Sequence, residues 1–162
     1  MRGPWFALLI VAVIGVQGCA AQTQARPESS DAGHPSDMVS GMINLHLSQL
    51  NTGIDGLDRQ IAQLQRMPET TDPVVRELRA LDLAGWQLHQ QQWKFQRDHL
   101  RFALDQLQQA KAQPDEKPRI LDRWVKQEQT YETAVNDFRQ QRHALERKRL
   151  ELEGELVRRH LK

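Results

Sequence analysis

Apolar side chains recur at heptad spacing from Met38 almost to the end of this chain. Steps of three and four residues keep such side chains on one side of a helix, where they pack against a neighbouring helix. Prolines interrupt the pattern twice, first at Pro68 and then at Pro114 and Pro118. The spacing therefore predicts an all-α fold made of three amphipathic helices separated by two short breaks.

The first segment, about 38–67, carries one apolar seam. Its seven members are Ile43, Leu47, Leu50, Ile54, Leu57, Ile61 and Leu64. Gly41, Gly53 and Gly56 each disfavour a helix by about 1 kcal/mol relative to alanine. Because the seam keeps its phase past all three glycines, we predict one continuous helix.

The second segment, about 73–112, begins with Asp72 and Pro73, an N-cap followed by proline at the first helical position. It carries two apolar ladders of seven-residue spacing. These are Leu81, Leu88, Phe95 and Phe102, and Trp86, Trp93, Leu100 and Leu107. The opposite side is charged and includes Lys94, Arg97, Asp98, Arg101 and Asp105. Two apolar rims with charge behind them predict the middle helix of a bundle.

The third segment, about 118–161, has a seam with polar interruptions. Five members stand seven residues apart: Trp124, Tyr131, Phe138, Leu145 and Leu152. The companion positions are apolar at Leu121, Val135 and Leu156 but polar at Glu128, Arg142 and Arg149. We expect packing to loosen toward the C-terminus. Because short breaks make sequential helices antiparallel neighbours, the prediction is a long antiparallel up-down-up three-helix bundle or coiled coil, about 60 Å long.

An apolar run near the N-terminus ends at the only cysteine of the chain. Arg2 precedes the run, which extends from Trp5 to Val16, and Gly18 stands directly before Cys19. A basic start, an apolar core and a small residue are typical of a secretion signal. The segment resembles the signal peptide of bacterial lipoproteins. The resemblance implies cleavage before Cys19, which then becomes the lipid-modified N-terminus, with acyl chains such as palmitate.

Two other interpretations of this start stay open: an ordinary secretory signal cut after Ala20 or Ala21, and a retained membrane anchor. About twelve apolar residues are too few to span a bilayer, which takes roughly twenty. In lipoproteins the residue after the cysteine directs sorting, and alanine there implies the outer membrane, facing the periplasm. The domain organisation is then signal peptide 1–18, lipidated Cys19 with a tether to residue 37, and a helical domain 38–162.

The tether predicted for residues 19–37 has no large apolar side chain and is rich in Pro, Ser, Gly and Ala. Such a composition buries too little surface to offset the entropy of ordering. We therefore expect a flexible spacer between the lipid and the helices.

Charge and motif content narrow the function classes. Without the predicted signal peptide the chain has balanced charge, since the full sequence has 22 Lys and Arg against 21 Asp and Glu and loses Arg2. This balance argues against a nucleic-acid partner. The sequence contains no Gly-rich phosphate loop, no Gly-x-Ser-x-Gly elbow and no His-Glu-x-x-His pair. We expect no enzymatic activity and no cofactor besides the covalent lipid on Cys19.

Met38, Met42 and His46 stand four residues apart and therefore share one helix face. Thioether and imidazole ligands suit a soft metal such as copper(I), and His34 in the tether adds another ligand. The alternative is that the methionines fill space at the bundle end while His46 lies on the surface.

A polar row lies between the two ladders of the second segment, at His89, Gln92, Gln96 and His99. It predicts either a ligand or metal layer or, more simply, residues that fix helix register. At the C-terminus, cations outnumber acids, and Arg158, Arg159 and Lys162 are candidates for binding an acidic partner. The alternative is that these cations stabilise the helix C-terminus.

Together these features predict a non-enzymatic, lipid-anchored periplasmic scaffold or adaptor that acts through helix–helix contacts. Its expected partners are the membrane, through the lipid, and an envelope protein or the cell wall, while self-association stays open. The alternative is a periplasmic helical stress chaperone or a soft-metal-responsive sensor. Size, compartment and helical content are similar to the periplasmic stress chaperones and metal sensors with Leu-Thr-x-x-Gln repeats, but this chain lacks that repeat.

Overall fold

A computed structural model describes residues 35–160 as three helices and one 3₁₀ turn. The predicted signal peptide 1–18, Cys19, His34, the tether to residue 34 and Lys162 lie outside the described residues. The helices are α1 (Pro35–Arg66), α2 (Pro73–Ala112) and α3 (Lys117–His160), and the turn is Pro114–Glu116. The first helix begins three residues before the start expected from its apolar pattern.

The predicted all-α three-helix bundle is confirmed, because the three helices pack against each other and residues 35–160 contain no strand. None of the three is long and apolar enough to cross a membrane. The described chain divides into two compact units, each containing part of all three helices. We call them the Trp124 unit (residues 35–48 and 99–130) and the Trp93 unit (residues 49–98 and 131–160).

All three helices contribute apolar side chains to the core of the Trp124 unit. A buried cluster joins Val39 and Ile43 of α1, Ala103 and Leu107 of α2, and Trp124 of α3. The Trp124 ring, 2% exposed, lies 6.0 Å from the Phe102 ring and 6.1 Å from the His99 ring, centroid to centroid. Ile120, which lies outside the predicted seam of α3, is completely buried as well. Buried apolar surface therefore fixes α3 in this unit.

The core of the Trp93 unit comes mainly from the first two helices. Its buried side chains are Leu50, Ile54, Leu57 and Ile61 of α1 and Val74 and Leu88 of α2. The four α1 residues belong to the predicted seam. Within residues 131–159 of α3, by contrast, no side chain is fully buried. The expected loosening of the third seam is confirmed.

The first helix passes Gly53 without a break, and the structure gives this glycine a packing role. The Trp93 ring lies against the α1 backbone at Gly53. A Cβ atom built there would be 1.8 Å from Trp93 Cζ3. A Cβ atom built at Gly56, three residues later, would have no neighbour within 4 Å. Gly53 therefore makes room for a tryptophan, which helix propensity alone does not predict.

The break between α1 and α2 uses the predicted cap. One carboxylate oxygen of Asp72 accepts hydrogen bonds from the backbone N–H groups of Val74, at 2.8 Å, and Val75, at 3.3 Å. Pro73 occupies the first helical position. The cap satisfies two donors that a helix start otherwise leaves without partners.

Candidate functional site

Polar contacts hold α3 in the Trp93 unit. Arg142 Nη2 donates to Gln92 Oε1 at 2.8 Å, and Arg149 Nη1 donates to Asp82 Oδ1 at 2.8 Å. The apolar contribution comes from half-buried aromatic rings: Phe95 of α2 lies 5.6 Å from Tyr131 and 5.9 Å from Phe138.

Arg142 and Arg149 are two of the polar residues that interrupt the third seam. The third interruption, Glu128, belongs to the Trp124 unit and pairs there with His99 at 3.2 Å. Each interruption thus faces a specific polar partner on α2. Within either unit, these pairs favour one register between α2 and α3, because sliding one helix along the other would separate the paired side chains.

The side of α3 that faces away from these contacts carries two large apolar residues. Leu150 is 69% exposed and Val157 is 59% exposed. Gly154 lies between them, four residues after the first and three before the second, so that all three share one helix face. A Cβ atom built at Gly154 meets only Arg158 Nη1, at 4.0 Å. We call this surface the outer α3 face. It consists of Leu150 and Val157 with a notch between them at Gly154.

Charged residues border the outer α3 face. Arg147, Lys148 and Arg158 are exposed, and so are Glu146 and Glu151. The Glu146 carboxylate contacts His143 Nδ1 at 3.2 Å. The exposed border therefore has only a small excess of positive charge. Counting the cations of this region alone would suggest a more basic surface.

The predicted basic site separates into residues with different environments. Arg158 is exposed and leans over the Gly154 notch. Arg159 instead pairs with Glu155 of its own helix and, at 3.7 Å, with Asp72, the residue that caps α2. Lys162 lies outside the described residues. Of the three candidates, only Arg158 is placed by the structure at the outer α3 face.

The predicted soft-metal ligands lie on the first turns of α1. Met38 is 67% exposed and Met42 is 51% exposed, with His46 half-buried one turn further along. Leu45, 62% exposed, extends this surface. In the part of the chain that the structure describes, no group of three His, Cys, Asp or Glu side chains is arranged to hold a metal ion.

The polar row of α2 divides between the two units. In the Trp93 unit, the His89 ring stacks with Trp86 at 6.4 Å and meets the edge of Trp93 at 4.8 Å. Partial burial, and secondly the charge of Arg142, lower the pKa of His89 below its usual value of 6.5. Gln92 and His99 each reach a polar residue of α3 in their own unit. These contacts are the kind expected of register-setting residues.

The outer α3 face was not predicted from the sequence. A signal for it exists, since Leu150, Gly154 and Val157 repeat at heptad steps on the side opposite Leu145 and Leu152. Comparisons with protein-family models, curated proteins and solved structures found no match for this chain.

Proposed function

We propose that the protein is a non-enzymatic, lipid-anchored adaptor of the bacterial cell envelope that binds a helix of another envelope protein on its outer α3 face. The observation that carries the proposal is the pair of exposed apolar residues, Leu150 and Val157, on either side of the notch at Gly154. Lipid attachment at Cys19 and an outer-membrane location facing the periplasm are parts of the same proposal. They are supported by the resemblance of the N-terminal segment to a lipoprotein signal.

The chemistry of the outer α3 face fits an amphipathic helix. Large side chains of such a helix insert between residues of the facing helix, and a glycine provides an open space for one of them. Leu150 and Val157 would lose their water on binding, which supplies the favourable free energy. The contact is small, so lipid anchoring of both proteins at one membrane would strengthen it by raising the local concentration.

A partner with acidic residues beside its apolar seam fits the border of the outer α3 face better than a second copy of this chain does. In a parallel pair of copies, Arg147 and Arg158 would each approach their own counterparts, and like charges disfavour association. In an antiparallel pair about Gly154, Arg158 would lie beside Glu151 of the other copy, but Arg147 would lie beyond that contact. An acidic partner helix can place an opposite charge beside both arginines.

Site-specific photo-crosslinking in the intact bacterium tests the proposal. A photoreactive amino acid replaces Leu150 in the full-length chain, and the matched control carries it at Lys126, an exposed position of α3 in the Trp124 unit. We expect a crosslinked protein from position 150 and none from position 126, with the crosslinked peptide predicted to form an amphipathic helix. Equal crosslinking at both positions, no product at position 150, or a product with a second copy of this chain would overturn the proposal.

A glycine substitution separates binding from folding. Gly154→Leu fills the notch, yet leucine has a higher helix propensity than glycine, by somewhat less than the roughly 0.8–1 kcal/mol that separates alanine from glycine. We therefore expect a protein at least as stable as the wild type that loses the crosslink. Retention of the crosslink would show that the notch takes no part in binding.

A further inference from the structure

We infer that the first turns of α1 rest on the surface of the lipid bilayer to which the chain is anchored. The contact surface is formed by Met38, Met42 and Leu45, which stand at steps of four and three and are 67%, 51% and 62% exposed. We call these residues the α1 stripe. The inference rests on the proposed lipid attachment at Cys19 and adds a second, non-covalent contact with the same membrane.

The α1 stripe belongs to a stretch of unusual composition. Charged residues make up 27% of the chain, yet none occurs from Met38 to Ile54. The nearest acid, Asp37, forms an ion pair with Lys111 at 2.5 Å. The exposed surface of these turns is therefore apolar or neutral, and its approach to a bilayer requires no isolated charge to lose its water.

Chain length places the α1 stripe within reach of the membrane. Only residues 20–34 separate Cys19 from the start of α1. The sixteen peptide steps from Cys19 to Pro35, where α1 begins, reach at most about 55 Å. A lipid on Cys19 thus holds this surface close to the bilayer, where three apolar side chains suffice for a stable contact that they cannot maintain from free solution.

The thioethers and the leucine suit the boundary between headgroups and acyl chains. Apolar side chains of interfacial helices enter this region to a depth of about 5–10 Å. Because the α1 stripe carries no charge, the contact should persist on neutral lipids and at high salt. A basic surface would instead depend on anionic lipids and weaken with salt.

A fluorescence experiment on the full-length lipidated protein tests the inference. Leu45→Cys introduces the only free thiol, since the lipid blocks Cys19, and is labelled with an environment-sensitive dye. Val125→Cys is the matched control, because Val125 is also an exposed apolar residue of the Trp124 unit but lies on α3. Both proteins are reconstituted into phosphatidylcholine vesicles with and without lipids that carry a quencher in the acyl chain.

We expect the label at position 45 to shift to shorter emission wavelength and to be quenched several-fold more than the label at position 125. Both effects should be independent of salt and of the protein-to-lipid ratio. Equal, water-like emission from the two labels would overturn the inference. A blue-shifted emission at position 45 that is lost when the protein-to-lipid ratio is lowered would also overturn it, because that result indicates contact between copies of the protein.

Cys19→Ser separates this inference from the proposed function. If lipid attachment is correct, the Ser variant leaves the vesicles and its position-45 label becomes water-exposed. If the unsubstituted protein itself fails to remain with vesicles, the anchoring proposal is wrong. An anchored protein with a water-exposed position 45 contradicts only the docking of α1.

Discussion

In the Trp124 unit, α3 is held by side chains that are almost completely removed from water, whereas in the Trp93 unit the same helix is held by half-buried rings and exposed ion pairs. Full burial of a large apolar side chain contributes about 1.5–3 kcal/mol. Exposed ion pairs contribute about 0–1 kcal/mol each and weaken with salt. The Arg149–Asp82 pair is of this kind, with the two side chains 54% and 37% exposed. The difference indicates that α3 is strongly held near Trp124 and weakly held beyond Tyr131.

The largest expected change in stability comes from removing an aromatic ring of α3, and comparing one ring from each unit tests this difference. Trp124→Ala should lower the free energy of unfolding by about 3–5 kcal/mol, because it removes a buried ring and leaves a cavity. Phe138→Ala removes a half-buried ring of the Trp93 unit and should cost less than about half as much. Urea denaturation followed by circular dichroism measures both. Equal losses would contradict the comparison.

The next expected effect concerns the close fit between α1 and α2 in the Trp93 unit. Gly53→Ala places a methyl group where the Trp93 ring lies. Overpacking typically costs about 1–3 kcal/mol, which should exceed the gain of about 1 kcal/mol in helix propensity. Gly56→Ala, the control, has open space and should stabilise by up to about 1 kcal/mol. Stabilisation by both substitutions would show that Trp93 moves aside freely.

Low pH should destabilise the Trp93 unit, because protonation of His89 is less favourable in the folded state than in the unfolded state. Its pKa is lowered in the folded state, so between that value and 6.5 the unfolded chain binds more protons than the folded one. Stability should therefore rise with pH through the range just below 6.5 and then level off. His89→Gln should flatten this part of the profile. Thermal melts from pH 5 to pH 8 provide the measurement, and an unchanged slope for His89→Gln would contradict the assignment.

The smallest expected effect comes from the exposed ion pairs. Arg149→Ala removes the contacts with Asp82 and Glu153 and should lower stability by less than about 1 kcal/mol, with the loss disappearing in high salt. Lys94→Ala, on the charged side of α2, should change stability by less than about 0.5 kcal/mol. A larger, salt-resistant loss for Arg149→Ala would mean that α3 depends on this pair more than its exposure suggests.

The fold was predictable because its main determinants are periodic or local. The heptad seam of α1, the Asp72 cap and the polar interruptions of the third seam can all be recognised along the sequence. The fit of Trp93 onto Gly53 was not predictable, since it joins residues forty positions apart through side-chain shape. The partners of Arg142 and Arg149 likewise depend on the register of α2 and α3, which neither seam specifies alone.

The candidate site was predicted only in part. The sequence pointed to the basic C-terminal region, but it could not show that Arg159 pairs with the α2 cap and is therefore a poor choice for a binding test. The outer α3 face was missed because Leu150, Gly154 and Val157 form a pattern of only one heptad. The main apolar seam of α3, which is several heptads long, is much more conspicuous in the same stretch of sequence. Lipid attachment at Cys19 and the tether stay predictions of the sequence.

Hydrogen exchange along α3 is the most direct test of the difference between the two units. In the mature full-length protein without a partner, amides of residues 145–157 should exchange at least about tenfold faster than those of residues 120–128, because local opening there breaks few buried contacts. Equal protection along the whole helix would contradict the claim that α3 is firmly held in the Trp124 unit and weakly held in the Trp93 unit.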